Sequence, residues 1–415
     1  MKTVELKKSL IALTIVLVMI SCVGRENATQ EQSTTIETKV ENKTFVSEEI
    51  KPLVKYIEQC NTSPIDYIMN LFEKFDVVVL GERDHRDISQ YELFNQIISD
   101  PRFAATVGHV FTEVGCYNMA DELNTVLKGT YPNDAIFDKE LVNVIFNMDF
   151  IPVWEKTNYT KLMKDVYLIN KNLSDKDKIS VTPTEMPFSW KQTQSMTGEE
   201  FKKTVHKMWE HKDLIMGNNA INELYKIFNG KDLRKKALII YNTPHSCLYF
   251  ENKHPFFAYQ IIADRFPGRV ANVMLNWSAG YDNEDNITLS NNGKIDAAFA
   301  ACNNKSIGFD LVSSPFGDCF FDVIGSAVHG EKMKDVYHGF IFYKPVLEWV
   351  LSIGVPNLDK LDCKDELVRR RNIFNNTTKD ENKNALLRYY STVRSFPPTE
   401  NIKHIYEQIG RYYEE

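Results

Sequence analysis

Two short segments carry residue types suited to proton transfer. Gly81-Glu82-Arg83-Asp84-His85 follows the apolar run Asp76–Leu80, and Asn242-Thr243-Pro244-His245 follows Lys236–Tyr241. Imidazole is the side chain whose unperturbed pKa, roughly 6.5, suits general acid–base work near neutrality. A carboxylate such as Glu82 beside His85 would orient the ring and stabilise its charged form. A second histidine, His245, would protonate a leaving group or bind a developing oxyanion. Such parts could together activate water for attack on an ester or related bond. Glu113 belongs with them, because a carboxylate in the apolar stretch His109–Val114 costs several kcal/mol when buried without a partner. The structural alternatives are ordinary: Glu82 beside a helix N-terminus, and Asp84 or Asp87 as helix caps.

These residues are useful together only if the fold brings them to one place. The β-branched run Asp76–Gly81 reads as a strand buried on both faces of a parallel sheet. Further strands are expected over 109–114, 178–182, 236–241, 270–275, 307–312 and 339–343. Helical text fills 51–75, 89–99, much of 119–175, 198–229 and 255–265. Strands alternating with helices imply an α/β fold: a mainly parallel central sheet with helices on both faces. Ligands sit outside the carboxyl ends of such strands. The ends carrying Glu82 and His85, Glu113, Glu185, and Asn242 with His245 would then share one edge. Gly81 would let the chain turn sharply there. The helical insertions at about 119–175 and 198–229 are expected to wall or cover that edge.

The 415 residues carry a net charge of −7, with 43% hydrophobic and 25% charged residues. This is a globular composition without the basic footprint of a nucleic-acid binder. Residues 1–21 combine Lys2, Lys7 and Lys8 with an apolar run over 10–20, the grammar of a secretory signal peptide. Met19-Ile20-Ser21-Cys22 resembles a bacterial lipobox, so Cys22 is expected to be lipidated. That places the protein outside the cytoplasm, anchored to a membrane facing the periplasm, in the outer membrane or at the cell surface. Residues 22–48 read as a flexible tether, and 49–415 as one α/β domain. The remaining six cysteines show no CxxC and are expected to be mostly buried thiols. The tryptophans (Trp154, Trp190, Trp209, Trp277, Trp349) read as packing or pocket walls. No GxSxG, Walker loop or GxGxxG occurs, which removes support for α/β-hydrolase and nucleotide-binding readings.

The order of these motifs resembles the erythromycin esterase-like superfamily, distantly related to the haem-uptake and Tiki group, over about 75–342. Gly81-Glu82-Arg83-Asp84-His85 looks like the family's Gly-Glu-x-x-His. Phe111-Thr112-Glu113 and Glu185 resemble its second and third strand ends. Lys212-Asp213-Leu214-Ile215-Met216-Gly217-Asn218-Asn219 is similar to its Arg-Asp-x-x-Met-Ala-x-Asn helix, and Asn242-Thr243-Pro244-His245 to its Asn-x-x-His. Lys212 and Gly217 stand where the family has Arg and Ala, and Phe94 where it has a further Arg. The resemblance implies an ester- or lactone-cleaving site in which His85 activates water, supported by Glu82, Glu113 and His245. Asp84, Glu185, Lys212, Asp213, Asn219 and Asn242 would contact a small-molecule substrate.

No cofactor is demanded. There is no HExxH, although Glu82, His85, Glu113 and His245 include ligands suited to a divalent metal. Two alternatives therefore stand beside the hydrolase: a lipoprotein binding haem or an iron chelate, with Tyr241 or His245 as axial ligand, and a metal-dependent hydrolase of the Tiki kind. The sequence specifies no oligomeric state.

Overall fold

The computed structural model describes residues 45–152, 156–248, 257–284, 286–323, 326–379 and 381–414. The expected leader, Cys22, Trp154 and most of the tether lie outside these residues. Strands are β1 (Val77–Glu82), β2 (His109–Cys116), β3 (Ser180–Glu185), β4 (Ala237–Asn242), β5 (Val270–Leu275), β6 (Ser278–Tyr281), β7 (Ile287–Leu289), β8 (Ile307–Asp310) and β9 (Gly339–Phe342). Seven of them form one sheet in the order β3–β2–β4–β1–β5–β9–β8. Its pairs are parallel except for β8 against β9. This is the mainly parallel α/β sheet that the alternating strand and helix text implies.

The β-branched character of β1 explains its central place. Every residue of β1 is buried, and successive side chains enter different clusters. Val78 and Leu80 pack with Phe94, Ile97, Val166 and other helical residues on one face. Val77 and Val79 pack with Met216, Ala220, Leu224 and Ile262 on the other. Each such side chain gains about 1.5–3 kcal/mol on burial, so a strand apolar on both sides belongs in the middle. Helices therefore cover both faces.

The first insertion supplies the helices Ala120–Lys128, Asp134–Asn147 and Thr157–Asn170. Their apolar residues, including Leu123, Phe137 and Val166, join the cluster that holds Val78 and Leu80. They form a layer against the sheet face. The second insertion is two helices, Gly198–Trp209 and Lys212–Asn229. The first carries Phe201 and Val205 into a cluster with Cys116, Met186 and Trp190, beyond the ends of β2 and β3.

Two helical stretches read as continuous, 51–75 and 198–229, are broken. The region 51–75 divides into Lys51–Gln59 and Pro64–Lys74, because Ser63 caps Pro64–Lys74 by accepting the Asp66 N–H at 3.1 Å. The β3 strand runs to Glu185, further than expected, and so carries that carboxylate itself. The β6–β7 hairpin and the region beyond 343, with β10 (Leu351–Ile353), β11 (Arg394–Phe396) and the helices Lys364–Asn375, Lys383–Ser391 and Ile402–Gly410, had no sequence expectation. Among the described residues no helix is long and apolar enough to cross a membrane. Among the described residues all six cysteines are free, and Cys116, Cys247, Cys319 and Cys363 are buried.

Candidate active site

The carboxyl ends of β1, β2, β3 and β4 meet as the strand rule requires. Glu82 pairs in register with Asn242 across β1 and β4. β2 runs beside β4, with Thr112 opposite Ile240. Gly81 sits in a close approach: a Cβ there would lie 3.0 Å from Ser246 Oγ and 3.3 Å from the Val273 carbonyl oxygen. The residue thus lets the β4–His245 turn press against the end of β1.

The loop after β1 is pinned on several sides. Gln90 accepts the Arg83 N–H at 2.6 Å and donates to the Asp84 carbonyl at 2.7 Å and to Glu82 Oε1 at 3.4 Å. Thr243 Oγ1 donates to the Glu82 carbonyl at 2.9 Å. Asn158, from the first insertion, donates to the His85 carbonyl at 3.0 Å. Arg83 is turned into the interior, 2.8 Å from Asp87 and stacked on Trp349. His85 is therefore presented by a loop with little freedom.

One oxygen of Glu113 gathers three cationic groups. Its Oε1 lies 2.7 Å from Lys212 Nζ, 3.4 Å from His245 Nε2 and 3.6 Å from His85 Nε2. Its Oε2 accepts the Asn242 backbone N–H at 2.8 Å. The far nitrogen of each imidazole is anchored on another carboxylate: His85 Nδ1 on Glu82 Oε2 at 2.8 Å, and His245 Nδ1 on Asp213 Oδ1 at 2.8 Å. Asp213 also accepts the Ala258 N–H at 2.8 Å, which fixes it between two helices. Glu82 and Glu113 are 1% exposed, whereas both histidine side chains keep 19% of their surface. The imidazoles are the part of the cluster that a ligand in solution can touch.

Burial opposes charge on His85, but the carboxylates of Glu82 and Glu113 outweigh it and hold the imidazolium well above the usual histidine range. The same contest at His245, with Asp213 and Glu113 prevailing, raises it to about 10. Burial would push Glu113 up, yet Lys212, His245 and His85 hold it well below the usual carboxylate range. The surroundings of both imidazoles therefore favour the charged form. Sequence reasoning treated His85 as a ready base there. The difference arises because each ring lies between two carboxylates.

The other expected residues divide by role. Lys212 bridges Glu113 and Glu185, the latter at 3.2 Å. Asn219 donates to the Thr184 carbonyl at 2.9 Å and to that of Glu185 at 3.3 Å, steadying the end of β3. The Asn242 side chain donates to the Arg83 carbonyl. Asp84 turns to Arg86, accepting from Nη2 at 2.6 Å and from Nε at 2.9 Å, and so braces its own loop. Sequence reasoning missed Gln90, Asn158, Asp149 and Lys156. The one available signal was Asp149, a lone carboxylate in the apolar stretch Val144–Ile151. Trp190 donates from Nε1 to the Asp149 carbonyl at 2.7 Å, and Trp209 stands 5.9 Å from Lys212 Nζ. Among the described residues no group of three or more His, Cys, Asp or Glu side chains is arranged to hold a metal ion.

No protein-family model and no curated protein matches the chain. Solved structures similar to it include a Bacillus cereus protein at 13% identity and a TM-score of 0.42, covering 71% of this chain and 97% of that one. A succinoglycan biosynthesis protein is similar at 11% identity and a TM-score of 0.44, covering 74% and 97%. A mutant erythromycin esterase in its open conformation is similar at 9% identity and a TM-score of 0.41, covering 72% and 96%. These values describe a distant structural likeness and assign no activity to this chain.

Proposed function

We propose that the protein is an extracytoplasmic hydrolase that cleaves an ester or lactone-like bond with water. The observation that carries this reading is the meeting of His85 Nε2 and His245 Nε2 at Glu113 Oε1, each ring held from behind by its own carboxylate. Two oriented, partly exposed imidazoles that converge on one carboxylate oxygen are parts that acid–base hydrolysis can use. In the proposed reaction His85 first releases its extra proton and then takes a proton from water as the water oxygen bonds to the acyl carbon. The carbonyl electron pair moves to oxygen, where the His245 imidazolium and the nearby Lys212 charge favour it. Collapse breaks the carbon–oxygen bond, and His245 gives its Nε2 proton to the departing alkoxide. His85 then loses its proton to solvent and His245 regains one.

Hydrolysis of p-nitrophenyl esters tests this reading. His85→Ala is expected to lower kcat/KM by about 10²–10⁴-fold while the melting temperature holds. Turnover that survives in His85→Ala would end it. Because His85 must deprotonate first, the rate should rise on the alkaline side of neutrality.

The anchor is part of the same proposal. The lipobox-like Ser21-Cys22 supports attachment of a lipid outside the cytoplasm. Metabolic labelling with a palmitate analogue should mark the wild type and not Cys22→Ser, and an unlabelled wild type would argue against it.

A further inference from the structure

Beyond β1 in the sheet order, against β5 and β9, lies a small pocket that the proposed reaction does not use. Met274 of β5 and Phe340 of β9 line it, together with Trp277, Phe320, Asp296 and Asp322. Its lining contains these two carboxylates and no Lys, Arg or His. Phe320 keeps 55% of its surface exposed, so the pocket reaches solvent. Asp296 stands in the first turn of the helix Lys294–Ala301, where the helix N-terminus favours a carboxylate. Yet Asp296 is 6% exposed and accepts only from its own backbone N–H. A buried carboxylate without a partner is costly. Asp322 Oδ2 accepts the Asn291 N–H at 2.5 Å, and His329, outside the lining, tempers its charge. The neutral polar groups of the lining are already engaged. Asn276 accepts the Tyr343 N–H and donates to the Lys344 carbonyl, both at 2.9 Å. The Asn291 side chain accepts the Phe320 N–H at 3.1 Å and donates to its carbonyl at 2.9 Å, which fixes that wall. Ser290 Oγ donates to the Trp277 carbonyl at 2.6 Å. The carboxylates are what remains for a guest.

We propose that this pocket binds the ammonium group of a primary amine, with Asp296 and Asp322 accepting from it and Trp277 and Phe320 flanking it. A guest between two carboxylates and no cation is favoured when it brings positive charge and N–H donors. Aromatic walls add attraction for a cation, more so when it is desolvated. Size narrows the class further. The pocket has room for about one water-sized body. An ammonium head fits that room, whereas a trimethylammonium head does not. The rest of the amine would lie towards exposed Phe320. A metal ion suits the lining less well. Hard cations need six or more oxygen ligands, and much of this wall is apolar, with Met274, Ile295, Phe321 and Met333. Burial, with Asp322 adding, pushes Asp296 up to about 7, as expected of a carboxyl that lacks a cation. The site is separate from the histidine cluster and goes beyond the hydrolase reading.

Isothermal titration calorimetry with n-butylammonium chloride tests this. Saturable single-site uptake is expected for the wild type. It should be absent with n-butanol, which lacks the charge, and with tetramethylammonium chloride, which is too large. Asp296→Asn should weaken the uptake about tenfold or more, which also localises it to this pocket. That substitution removes an unpaired buried charge, so the variant should fold at least as well as the wild type. Phe320→Ala, at an exposed position, gives a second variant and should weaken uptake about two- to fivefold. A wild type without saturable uptake, equal uptake of tetramethylammonium, or an affinity unmoved by Asp296→Asn overturns the proposal. Uptake of calcium chloride without uptake of the amine would mark a metal site and overturns it equally. The titration contains no ester, so its failure and the failure of the hydrolase reading are separable.

Discussion

His85 takes its carboxylate partner from three residues upstream, within the same turn, whereas His245 takes Asp213 from a helix 32 residues away in the chain. The first station is built locally. Strand β1 ends, Gln90 pins the loop, and Glu82 and His85 face each other three residues apart. The second exists only when the helix Lys212–Asn229 has docked beside β4. Glu113 joins the two, touching both rings with one oxygen. The contrast shows which part of the strand-end cluster is a property of a sequence motif and which is a property of the folded sheet.

The largest effect is expected where the two stations meet. Glu113→Gln removes the charge facing Lys212 and both imidazoles, leaving buried cations short of a partner, and should cost about 3–5 kcal/mol. Urea denaturation measures this, and an unchanged midpoint would separate the stations again. The next effect concerns the distant station alone. His245 is raised to about 10, so its contribution is complete below its unfolded value of roughly 6.5 and is lost as pH rises towards 10. The melting temperature should therefore decline across that window. Asp213→Asn should lower the His245 midpoint, read by NMR, and flatten the decline, whereas Glu82→Gln should leave the His245 midpoint nearly in place. Equal responses would mean that the stations are not distinct. The smallest effect is expected at Asp84, whose partner Arg86 is partly exposed. Asp84→Ala should change stability by about 1 kcal/mol or less, and a loss comparable to that of Glu113→Gln would give this loop ion pair a weight that its exposure does not support.

The same contrast explains what the sequence revealed. β1 was legible because five apolar or glycine positions in a row suit only a strand covered on both faces, and the edge holding Glu82, Glu113 and Asn242 followed from parallel strand geometry. Glu185 entered by the same rule, although the strand was expected to end before it. The pairing of His245 with Asp213 was not legible, because nothing local to either residue specifies it. Asp149 and Lys156 were hidden for a related reason: they sit in an insertion whose helices read as generic amphipathic text, and only packing against the sheet buries them. The raised imidazoles were equally invisible, since they depend on the number of carboxylates around each ring. The break at 60–63 and the region beyond 343 escaped because short elements separated by polar turns lack periodicity.

One irregularity in β2 has a wider consequence. Between Thr112 and Cys116 the register against β3 shifts: the span 112–116 faces only 183–185. Gly115 lies within it at φ +101, where a Cβ would come 2.5 Å from Met148 Cε. Just past this kink the Cys116 N–H donates to the Met148 carbonyl at 2.7 Å, fastening the far end of the Asp134–Asn147 helix directly beside the strand. The insertion is thus clasped at its base: its helices are tied into the core by Leu123 and Phe137, and the turn at 129–133 between them can vary without shifting Glu113. Shortening the turn at 129–133 should therefore spare the cluster geometry, while deleting a single residue from 112–116 should destroy it.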